Sequence, residues 1–415
     1  MKVFKFGGAS VKDADSIKNL AKIIATYQSE ELIIVVSAMG KMTNAFEWLI
    51  HSFCYQPQKT KQSLNDIVDF HNTILWNLFP DRSEKVYTAV NELFFQLEEV
   101  LESERQADYD KTYDSIIGFG ELLSTTIVSH FLVKQSISNE WIDARKIIKT
   151  NSDFRQATVD WEKTEENIKT HVRNKITVSQ GFIGSDLENN MTSLGREGSD
   201  FTAAIFGYCT EAESVTIWKD VAGVLNADPK HFPEASKIDK MSYREAIELS
   251  YYGATVIHPK TIKPLENKLI PLYVKSFIHP ENEGTVVQKS MEYDALLPSY
   301  IFIENQILVS ISPKDFSFIA EDNLSFIFAK LAEAKIKVNL IQNSALSFSV
   351  CFENSKEKVE RLFSLLKGTF EVRYNDEVTL LTIRHYNEEI LQTMTANKTL
   401  LLEQKSRNSA RFVLR

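Results

Sequence analysis

Residues 1–10 read MKVFKFGGAS and residues 31–37 read ELIIVVS, and these two stretches decide the fold class. Lys2 to Phe6 has the length of a short strand and stops at Gly7-Gly8. A helical pattern follows from about Ser16 to Tyr27, and the apolar run Glu31 to Ser37 suits a strand buried on both faces of a parallel sheet. Strand, glycine turn, helix and strand in this order predict an α/β domain with βαβ connections.

The rest of the chain divides into a long α/β part and a shorter tail. Strand signals return at Trp141-Ile142, 176–179, 214–218 and 272–274, and helical patterns cover much of 44–135, 199–209 and 242–251. The composition changes near residue 290, so we expect a linker at Asp294 to Ser299 and domains at 1–295 and 300–415. In the tail, Ile307 to Ser312 and Val378 to Arg384 are similar strand-like runs, each followed by a turn and a helical pattern, which indicates two small βα-type modules.

Composition excludes several classes of protein. The chain has 415 residues, a net charge of -9, 43% hydrophobic and 25% charged residues, as in a soluble globular protein without a basic surface for nucleic acid. Its three cysteines form no CxxC pair and its histidines lack metal-ligand spacing, so neither disulfides nor a metal site made of protein side chains is expected. With no signal peptide and no run of 18 apolar residues, we expect a cytoplasmic protein that does not enter a membrane.

The stretch Lys5-Phe6-Gly7-Gly8-Ala9-Ser10 is the first candidate for binding chemistry. Glycines directly after a strand let the backbone approach a phosphate, and N–H groups exposed at such a turn form an anion nest. Lys5 would add a positive charge there. The alternative is a plain tight turn with a surface lysine. The stretch is neither GxGxxG nor a Walker A loop.

Two further motifs follow predicted elements. Ser37 to Asn44 (SAMGKMTN) leaves the carboxyl end of the apolar strand, where ligands of open α/β sheets bind, although a simple loop would read similarly. In Gly118 to Ser124 (GFGELLS), Glu121 begins an apolar helix. It could hold a substrate ammonium or only favour the helix N-terminus.

Two polar loops complete the set. Thr192 to Asp200 (TSLGREGSD) precedes a helix, and Arg196 in it could grip a carboxylate through two parallel hydrogen bonds. Ser199 and Asp200 would otherwise be N-cap residues. The loop from Trp218 to Lys230 holds acids and lysines and is either a nucleotide-facing loop or a solvated one.

Each motif alone is weak, but their order and spacing are specific. KFGGAS, SAMGKMTN, GFGE, IDARKIIKT, SQGFIG, LGREGSD, WKDVAGV…DPK and GATVIHPKT resemble the aspartokinase family over about residues 1–275. The tail from about 300 to 415 resembles that family's paired ACT modules, which are small amino-acid-binding βα units. The resemblance implies a three-layer αβα amino-acid-kinase fold with a mostly parallel central sheet, followed by α+β, ferredoxin-like regulatory modules.

The resemblance also implies the activity and a role for each residue. It implies ATP-dependent phosphorylation of the L-aspartate side-chain carboxylate to 4-phospho-L-aspartate, the first step towards lysine, threonine and methionine, with Mg²⁺ carried by ATP. Lys5 and Asp200 match the catalytic positions, with Asp200 orienting Lys5. The positions that match ATP or phosphate contacts are Lys5, Gly7, Gly8, Ser37, Lys219, Asp220 and Lys230. The positions that match aspartate contacts are Thr43, Glu121, Arg196 and Ser199.

Several positions depart from the family pattern. Thr255 stands where a nucleotide-facing lysine is common, Lys230 where an arginine is common, and Leu225 where a tyrosine is usual. Lys219 replaces a threonine and could supply the charge missing at 255, while Glu197 adds an acid where a small residue is frequent. These changes support one alternative, a degenerate kinase kept as an amino-acid-sensing protein. A kinase of the same fold for another carboxylate or phosphate is the second rival.

The tail resembles an effector-binding region. Asn339, Asn343 and Ser344 match the strand and loop that hold an amino acid in the family, with lysine or threonine as candidates. Members inhibited by lysine often have an acid where Asn339 stands. A homodimer through the ACT modules is expected. No Rossmann fingerprint follows, so the resemblance is to monofunctional members.

Overall fold

The computed structural model describes residues 1–102, 108–254, 257–315 and 317–415. The chain forms two compact units. The first comprises Met1–Val224, Lys237–Ile247 and Val256–Met291, and the second comprises Leu225–Ser236, Glu248–Thr255 and Glu292–Arg415. Two short segments from the first 295 residues therefore belong to the second unit.

A mostly parallel sheet forms the centre of the first unit, as predicted. Its strands, together with a small hairpin, are β1 (Lys2–Phe6), β2 (Leu32–Val36), β3 (Glu140–Ile142), β4 (Ile176–Gln180), β5 (Ile183–Ser185), β6 (Met191–Ser193), β7 (Ser214–Lys219), β8 (Lys240–Ser242), β9 (Leu272–Ser276) and β10 (Thr285–Gln288). The strand order is β3-β4-β2-β1-β7-β9-β10-β8, and β5 and β6 form the separate hairpin. Only the β9–β10 pair in the sheet is antiparallel among the described strands. β2 is buried at every position, as its unbroken apolar sequence requires.

Helices cover the sheet. They are α1 (Ala14–Thr26), α2 (Met42–Tyr55), α3 (Pro57–Leu78), α4 (Lys85–Glu102), α5 (Tyr109–Ile117), α6 (Phe119–Lys134), α7 (Ala144–Ile147), α8 (Trp161–His171), α9 (Gly198–Thr210), α10 (Tyr243–Tyr251) and α11 (Pro259–Asn267). One layer includes α1, α3 and α6, with α6 packed on β2, β3 and β4; another includes α8, α9 and α11, with α9 packed on β1, β2 and β7. This is the three-layer arrangement that the resemblance implied.

One helical stretch of the described residues, Tyr109–Lys134, is long and apolar enough to cross a membrane. The structure buries 89% of its most apolar window within the protein, and Gly118 divides it into α5 and α6. The stretch therefore forms core helices of a folded unit. A helix buried inside a protein is apolar on all sides, as a membrane-spanning helix is.

The second unit contains a six-stranded antiparallel sheet. Its elements are β11 (Ser299–Pro313), α12 (Glu321–Glu333), β12 (Val338–Asn343), β13 (Phe348–Glu353), α13 (Lys356–Leu366), β14 (Phe370–Arg384), α14 (Glu388–Thr395), β15 (Leu400–Lys405) and β16 (Ser409–Leu414). The strand order is β12-β13-β11-β14-β16-β15. The two runs read from the sequence are parts of much longer strands, because β11 and β14 pair from Ser299–Arg384 to Pro313–Phe370 with an irregularity near Gln306.

That irregularity separates two halves of the sheet. On one side of it, Ile307, Val309 and Ile311 pack with buried residues of α12 and α13. On the other side, Tyr300 packs with Leu381 and with residues of α14 and β16. Strand residues alternate between the two faces of a sheet, so Leu308 faces a third cluster on the opposite face.

Candidate active site

A cavity of about 910 Å³ lies at the carboxyl ends of the parallel strands of the first unit. It is bordered by the turn after β1, the loop after β2 and the last residue of β7. Nine of the catalytic and substrate-binding candidates from the sequence line it: Lys5, Gly8, Ser37, Thr43, Glu121, Arg196, Ser199, Asp200 and Lys219. Residues that are up to 214 positions apart thus meet because parallel strands present their carboxyl ends at one edge of the sheet.

A buried ion pair marks the floor of this cavity. The Lys5 ammonium lies 2.6 Å from Oδ1 of Asp200, and their side chains are only 11% and 4% exposed. Lys5 comes from β1, and Asp200 from the first turn of α9. Lys219, at the end of β7, brings a second ammonium to within 3.9 Å of Oδ2 of Asp200. One carboxylate therefore stands between two cations.

The glycines after β1 are packed against the loop that follows β2. A Cβ on Gly8 would lie 2.6 Å from the Gly40 carbonyl oxygen and 2.9 Å from that of Ala38. The Gly40 N–H donates to the Gly8 carbonyl at 3.0 Å. A Cβ on Gly7 would lie 3.3 Å from the Lys5 Nζ atom, so Gly7 adjoins the same ammonium. The close approach of two backbones explains why residue 8 has no side chain.

Glu121 lies in the first turn of α6, and only 3% of it is exposed. Its Oε1 atom accepts the Ala38 N–H at 3.1 Å. Burial raises the pKa of Glu121 to about 8, and the Ala38 hydrogen bond and the charge of Lys5 act in the opposite direction. A cation that enters the cavity would stabilise the ionised form of a carboxyl group buried in this way.

Arg196 follows Gly195, whose φ of +75° is in the left-handed region. Its side chain is exposed, and within the described part of the chain no ion pair or side-chain hydrogen bond engages the guanidinium. Ser199 lies one turn further on, at the start of α9. Thr43 reaches the cavity from the first turn of α2.

Other predicted residues lie elsewhere. Asp220 is exposed in the loop after β7 and does not line the cavity. Lys230 belongs to the second unit, where its N–H donates to Asp228 at 2.9 Å. Thr255 lies outside the described residues.

The candidate effector residues lie in the second unit. Asn339 is on β12, and its amide donates to Oε1 of Gln306 at 2.7 Å. Asn343 ends the same strand, and Ser344 bonds to Ser347 in the turn that follows. Asn339 and Asn343 lie four residues apart on β12, an edge strand of the sheet, and Ser344 follows its last residue.

Sequence reasoning missed several residues of the cavity, among them Glu47, Tyr113, Arg155 and Phe182. Tyr113 donates to Glu47 at 2.9 Å. Arg155 pairs with Asp110 at 3.1 Å, and its guanidinium lies 4.5 Å from the centre of the Tyr113 ring. Phe182 lies in the quoted motif SQGFIG just after β4 but was not singled out within it. Glu47, Tyr113 and Arg155 belong to no glycine-rich or strand-end pattern, so no local signal marked them.

Backbone strain also concentrates here. Arg155, Phe182 and Glu197 all line the cavity and have φ values of +67°, +71° and +54°. Residues other than glycine are held in the left-handed region at a cost, and such residues cluster at binding and catalytic sites. The described residues contain no group of three or more His, Cys, Asp or Glu side chains that could hold a metal ion.

The model of the amino acid kinase family matches residues 1–276 of this sequence. The chain belongs to this family. This amino acid kinase family member is also 30% identical over 362 residues to the lysine-sensitive aspartokinase 3 of Escherichia coli K12, covering 85% of the present chain and 78% of that protein. The resemblance to aspartokinases stated from the motifs is confirmed.

Further relatives agree with this placement. A bifunctional chloroplastic aspartokinase/homoserine dehydrogenase of Arabidopsis thaliana is 30% identical over 383 residues, which are 89% of this chain and 42% of that protein. The chain therefore spans less than half the length of the bifunctional relatives it matches.

Solved structures of E. coli aspartokinase III are similar along the whole chain. The complex with lysine and aspartate gives a TM-score of 0.84 at 25% identity, covering 100% of this chain and 95% of that one. The complex with aspartate and ADP gives 0.82 at 25% identity, with 100% and 96% covered. The fold class predicted for this family member is confirmed for both parts of the chain.

Proposed function

We propose that this protein is an aspartate kinase, which transfers the γ-phosphate of ATP to the side-chain carboxylate of L-aspartate. The observation that carries the proposal is that one cavity is lined by the Lys5–Asp200 ion pair, Arg196 and Glu121. The cavity therefore combines a cation for the transferring phosphoryl group, Lys5, with a cation and an acid for the two charged groups of an amino acid, Arg196 and Glu121. The ADP and aspartate bound by the E. coli structure support the same assignment.

The phosphoryl transfer needs charge compensation rather than a base. The attacking carboxylate, with a solution pKa of about 3.9, is already ionised at neutral pH. An oxygen–phosphorus bond forms to this carboxylate while the bond to the ADP oxygen breaks, and negative charge is shared among the phosphoryl oxygens. Lys5 offsets that charge, and Asp200 keeps its ammonium in place. Lys219 adds a second positive charge at the same point.

The amino-acid end of the substrate has complementary partners. Arg196, which keeps its donors available, takes the α-carboxylate. Glu121 takes the α-ammonium, and Thr43 and Ser199 provide hydroxyl groups nearby. The cation of the bound substrate would favour ionised Glu121, although burial alone opposes it.

ATP lies along the glycine turn in this proposal. The N–H groups after β1, with Gly7, Gly8 and Ser37, form the phosphate cradle. Mg²⁺ arrives with the nucleotide and neutralises part of the phosphate charge. Asp220 and Lys230 stay proposed nucleotide contacts.

The deciding experiment measures ADP release from Mg-ATP with L-aspartate, with L-glutamate and without an acceptor. We expect release only with aspartate, and hydroxylamine should trap the acyl phosphate as a hydroxamate in equal amount. No release at millimolar ATP from folded protein would reject the kinase and favour the amino-acid-sensing alternative, for which aspartate or effector binding without turnover is the readout.

The second unit is proposed to be the regulatory region, with two ACT-type modules within residues 300–415. Lysine is one candidate effector, since the E. coli structure has lysine bound, and threonine is the other; Asn339, Asn343 and Ser344 are the proposed contacts. β12 is an edge strand that exposes Ile341, and Phe318 and Phe328 nearby in sequence are 70% and 44% exposed. Unpaired edges and exposed apolar residues favour the proposed homodimer through these modules.

The cytoplasm is the proposed location of the reaction. The cysteines of the described residues, Cys54, Cys209 and Cys351, form no disulfide, as is usual for proteins of a reducing compartment. The Arabidopsis relative described above is chloroplastic by its name.

A further inference from the structure

Asp114 is a buried carboxyl group that the proposed chemistry does not use. It lies on α5 and is 0% exposed. Its Oδ1 atom accepts the Ser193 hydroxyl at 2.6 Å, and its Oδ2 atom accepts the N–H groups of Ser193 at 2.8 Å and Arg155 at 2.9 Å. Burial raises the pKa of Asp114 above its ordinary value, and these three hydrogen bonds oppose that rise only in part. Three donors on one carboxyl group satisfy it without a bound ligand.

These hydrogen bonds join two loops of the cavity. Ser193 ends β6, three residues before Arg196. Arg155 lies two residues before Ala157. The Ala157 N–H donates to the Ser193 carbonyl at 3.0 Å, so the loop that contains Arg155 is bonded to the end of β6. Both Ser193 and Arg155 line the cavity. Asp114 therefore holds the base of the loop that carries Arg196.

The same helix leads to Glu121. α5 ends at Ile117, Gly118 follows it, and Glu121 lies in the first turn of α6, which begins at Phe119. A Cβ on Gly118 would lie 2.5 Å from the Met191 sulfur and 2.9 Å from a methyl group of Ile183, so the junction is pressed against the β5–β6 hairpin. Asp114 is thus the polar link between α5, which leads into the helix that bears Glu121, and the loop that bears Arg196.

We propose that Asp114 is a positioning residue that sets the separation between Glu121 and Arg196, and so adapts the cavity to the ammonium and carboxylate of one α-amino acid. This rests on the proposed function. Asp114 does not touch substrate. It acts through Ser193 and Arg155, and a misplacement of about 1 Å in such a site can cost about 100-fold in rate.

The test compares Asp114→Ala with Asp114→Asn. Alanine removes every acceptor. Asparagine keeps one oxygen for the two N–H groups, and the Ser193 hydroxyl can turn to accept from the new amide. We expect Asp114→Ala to raise the KM for aspartate about tenfold or more while the KM for ATP stays within about twofold, and we expect Asp114→Asn to restore the aspartate KM to within about threefold of the wild-type value.

Two further variants separate positioning from stability. Ser193→Ala removes one hydrogen bond and should raise the aspartate KM by a few-fold even if Asp114→Ala does not fold. Asp143→Ala is the matched control. Asp143 is also buried and caps α7, where it accepts hydrogen bonds from Arg145, but it does not line the cavity. It should lower the melting temperature and leave both KM values unchanged.

The outcomes distinguish the two claims. If the wild type turns over aspartate but Asp114→Ala and Ser193→Ala change only the melting temperature, or raise both KM values equally, the positioning role is overturned and the kinase stands. If calorimetry detects no aspartate binding to the wild type and no turnover occurs, the proposed function and the positioning role are both rejected.

Discussion

Lys5 is the residue on which the proposed chemistry depends most. Its ammonium is buried and lies 2.6 Å from Asp200. The described residues that line the cavity include no histidine or cysteine. If transfer relies on charge compensation, Lys5→Ala should lower kcat by about 100-fold or more. Single-turnover measurement of ADP release with saturating substrates would show it.

The control for this variant lies on the same strand. Lys2 is the first residue of β1 and pairs with Glu30 at the surface. Lys2→Ala removes a lysine from β1 without touching the cavity, and should leave kcat unchanged. A Lys5→Ala enzyme within threefold of the wild-type kcat would remove Lys5 from the mechanism.

Glu121 gives the aspartate affinity a pH dependence. Burial raises its pKa to about 8, so below that pH the free protein holds a proton that must leave when the substrate ammonium binds. The aspartate KM should therefore fall several-fold between pH 6.5 and pH 8.5, since each unit below the pKa costs up to about tenfold. Glu121→Gln should have a higher KM without this slope.

Proton release provides an independent check. Calorimetry of aspartate binding at pH 7 in buffers of different ionisation enthalpy should report nearly one proton released by the wild type and less by Glu121→Gln. Binding without proton release would mean that Glu121 is already ionised or does not meet the ammonium.

At the scale of elements, the sequence predicted the strands and turns that local pattern controls. The predicted strand 31–37 is β2 at Leu32–Val36, and the predicted helix 199–209 is α9 at Gly198–Thr210. β2 is an unbroken apolar run, and α9 begins directly after a polar loop. Each pattern lies within about ten consecutive residues, so it can be recognised from the local sequence. The same holds for Lys5, Gly8 and Arg196, which lie at strand or helix ends and were located from the sequence.

What escaped prediction depends on contacts between distant segments. Tyr113 and Arg155 enter the cavity because Asp114 binds the Arg155 and Ser193 backbones, and no pattern within α5 announces that. The tail strands were predicted too short, because β11 and β14 continue through an irregularity near Gln306 where alternation is interrupted. Glu304 and Asn305 in that stretch are polar and interrupt the apolar pattern of the strand.

The turn between β1 and α1 supplies an element-scale prediction. A methyl group at residue 8 would meet two backbone oxygens, of Gly40 and Ala38, at 2.6 and 2.9 Å, and neither can swing aside. Gly8→Ala should push the two loops apart, lowering the free energy of unfolding by about 1–3 kcal/mol and kcat/KM for ATP by about tenfold or more. Thermal melts and ATP titrations of kcat measure the two effects.

Gly368→Ala is the matched substitution, because a Cβ there meets nothing within 4 Å. It should leave the kinetics unchanged and the melting temperature equal or slightly higher, as the unfolded chain loses freedom. If Gly8→Ala behaves like Gly368→Ala, the turn after β1 is not a close-packed phosphate cradle.

Across the whole molecule, two buried groups in the first unit oppose each other as pH changes. His71 is 0% exposed between Phe70 and Phe94, and its Nδ1–H donates to the Ile67 carbonyl at 2.7 Å. Its Nε2 atom is buried and has no hydrogen-bond partner among the described residues. Burial lowers its pKa to about 4. The unfolded chain takes up this proton first, so His71 removes stability as pH falls from about 6.5 to about 4.

Glu121 acts in the other direction. Its folded pKa of about 8 lies above the ordinary value of 4.5, so its contribution is fully present below pH 4.5 and is lost as pH rises through 8. All five tryptophans, Trp48, Trp76, Trp141, Trp161 and Trp218, belong to the first unit. Tryptophan fluorescence therefore follows the unfolding of that unit alone.

Urea denaturation followed by this fluorescence should separate the two groups. From pH 8.5 to pH 6.5 the wild type should gain stability as Glu121 is protonated, at up to about 1.4 kcal/mol per pH unit, and Glu121→Gln should lose that slope. Between pH 6.5 and pH 4.5 the loss from His71 should cancel the continuing gain from Glu121, so the stability should level off. His71→Phe, which fills the same apolar site without an unpaired nitrogen, should go on gaining stability down to about pH 4.5. The expectation fails if neither variant changes the plot of stability against pH, or if each changes it in the other group's pH range. Charges elsewhere in the unit would then control its response to pH. The high pKa of Glu121 in the substrate-free protein, and with it the pH dependence of aspartate binding, would have to be abandoned.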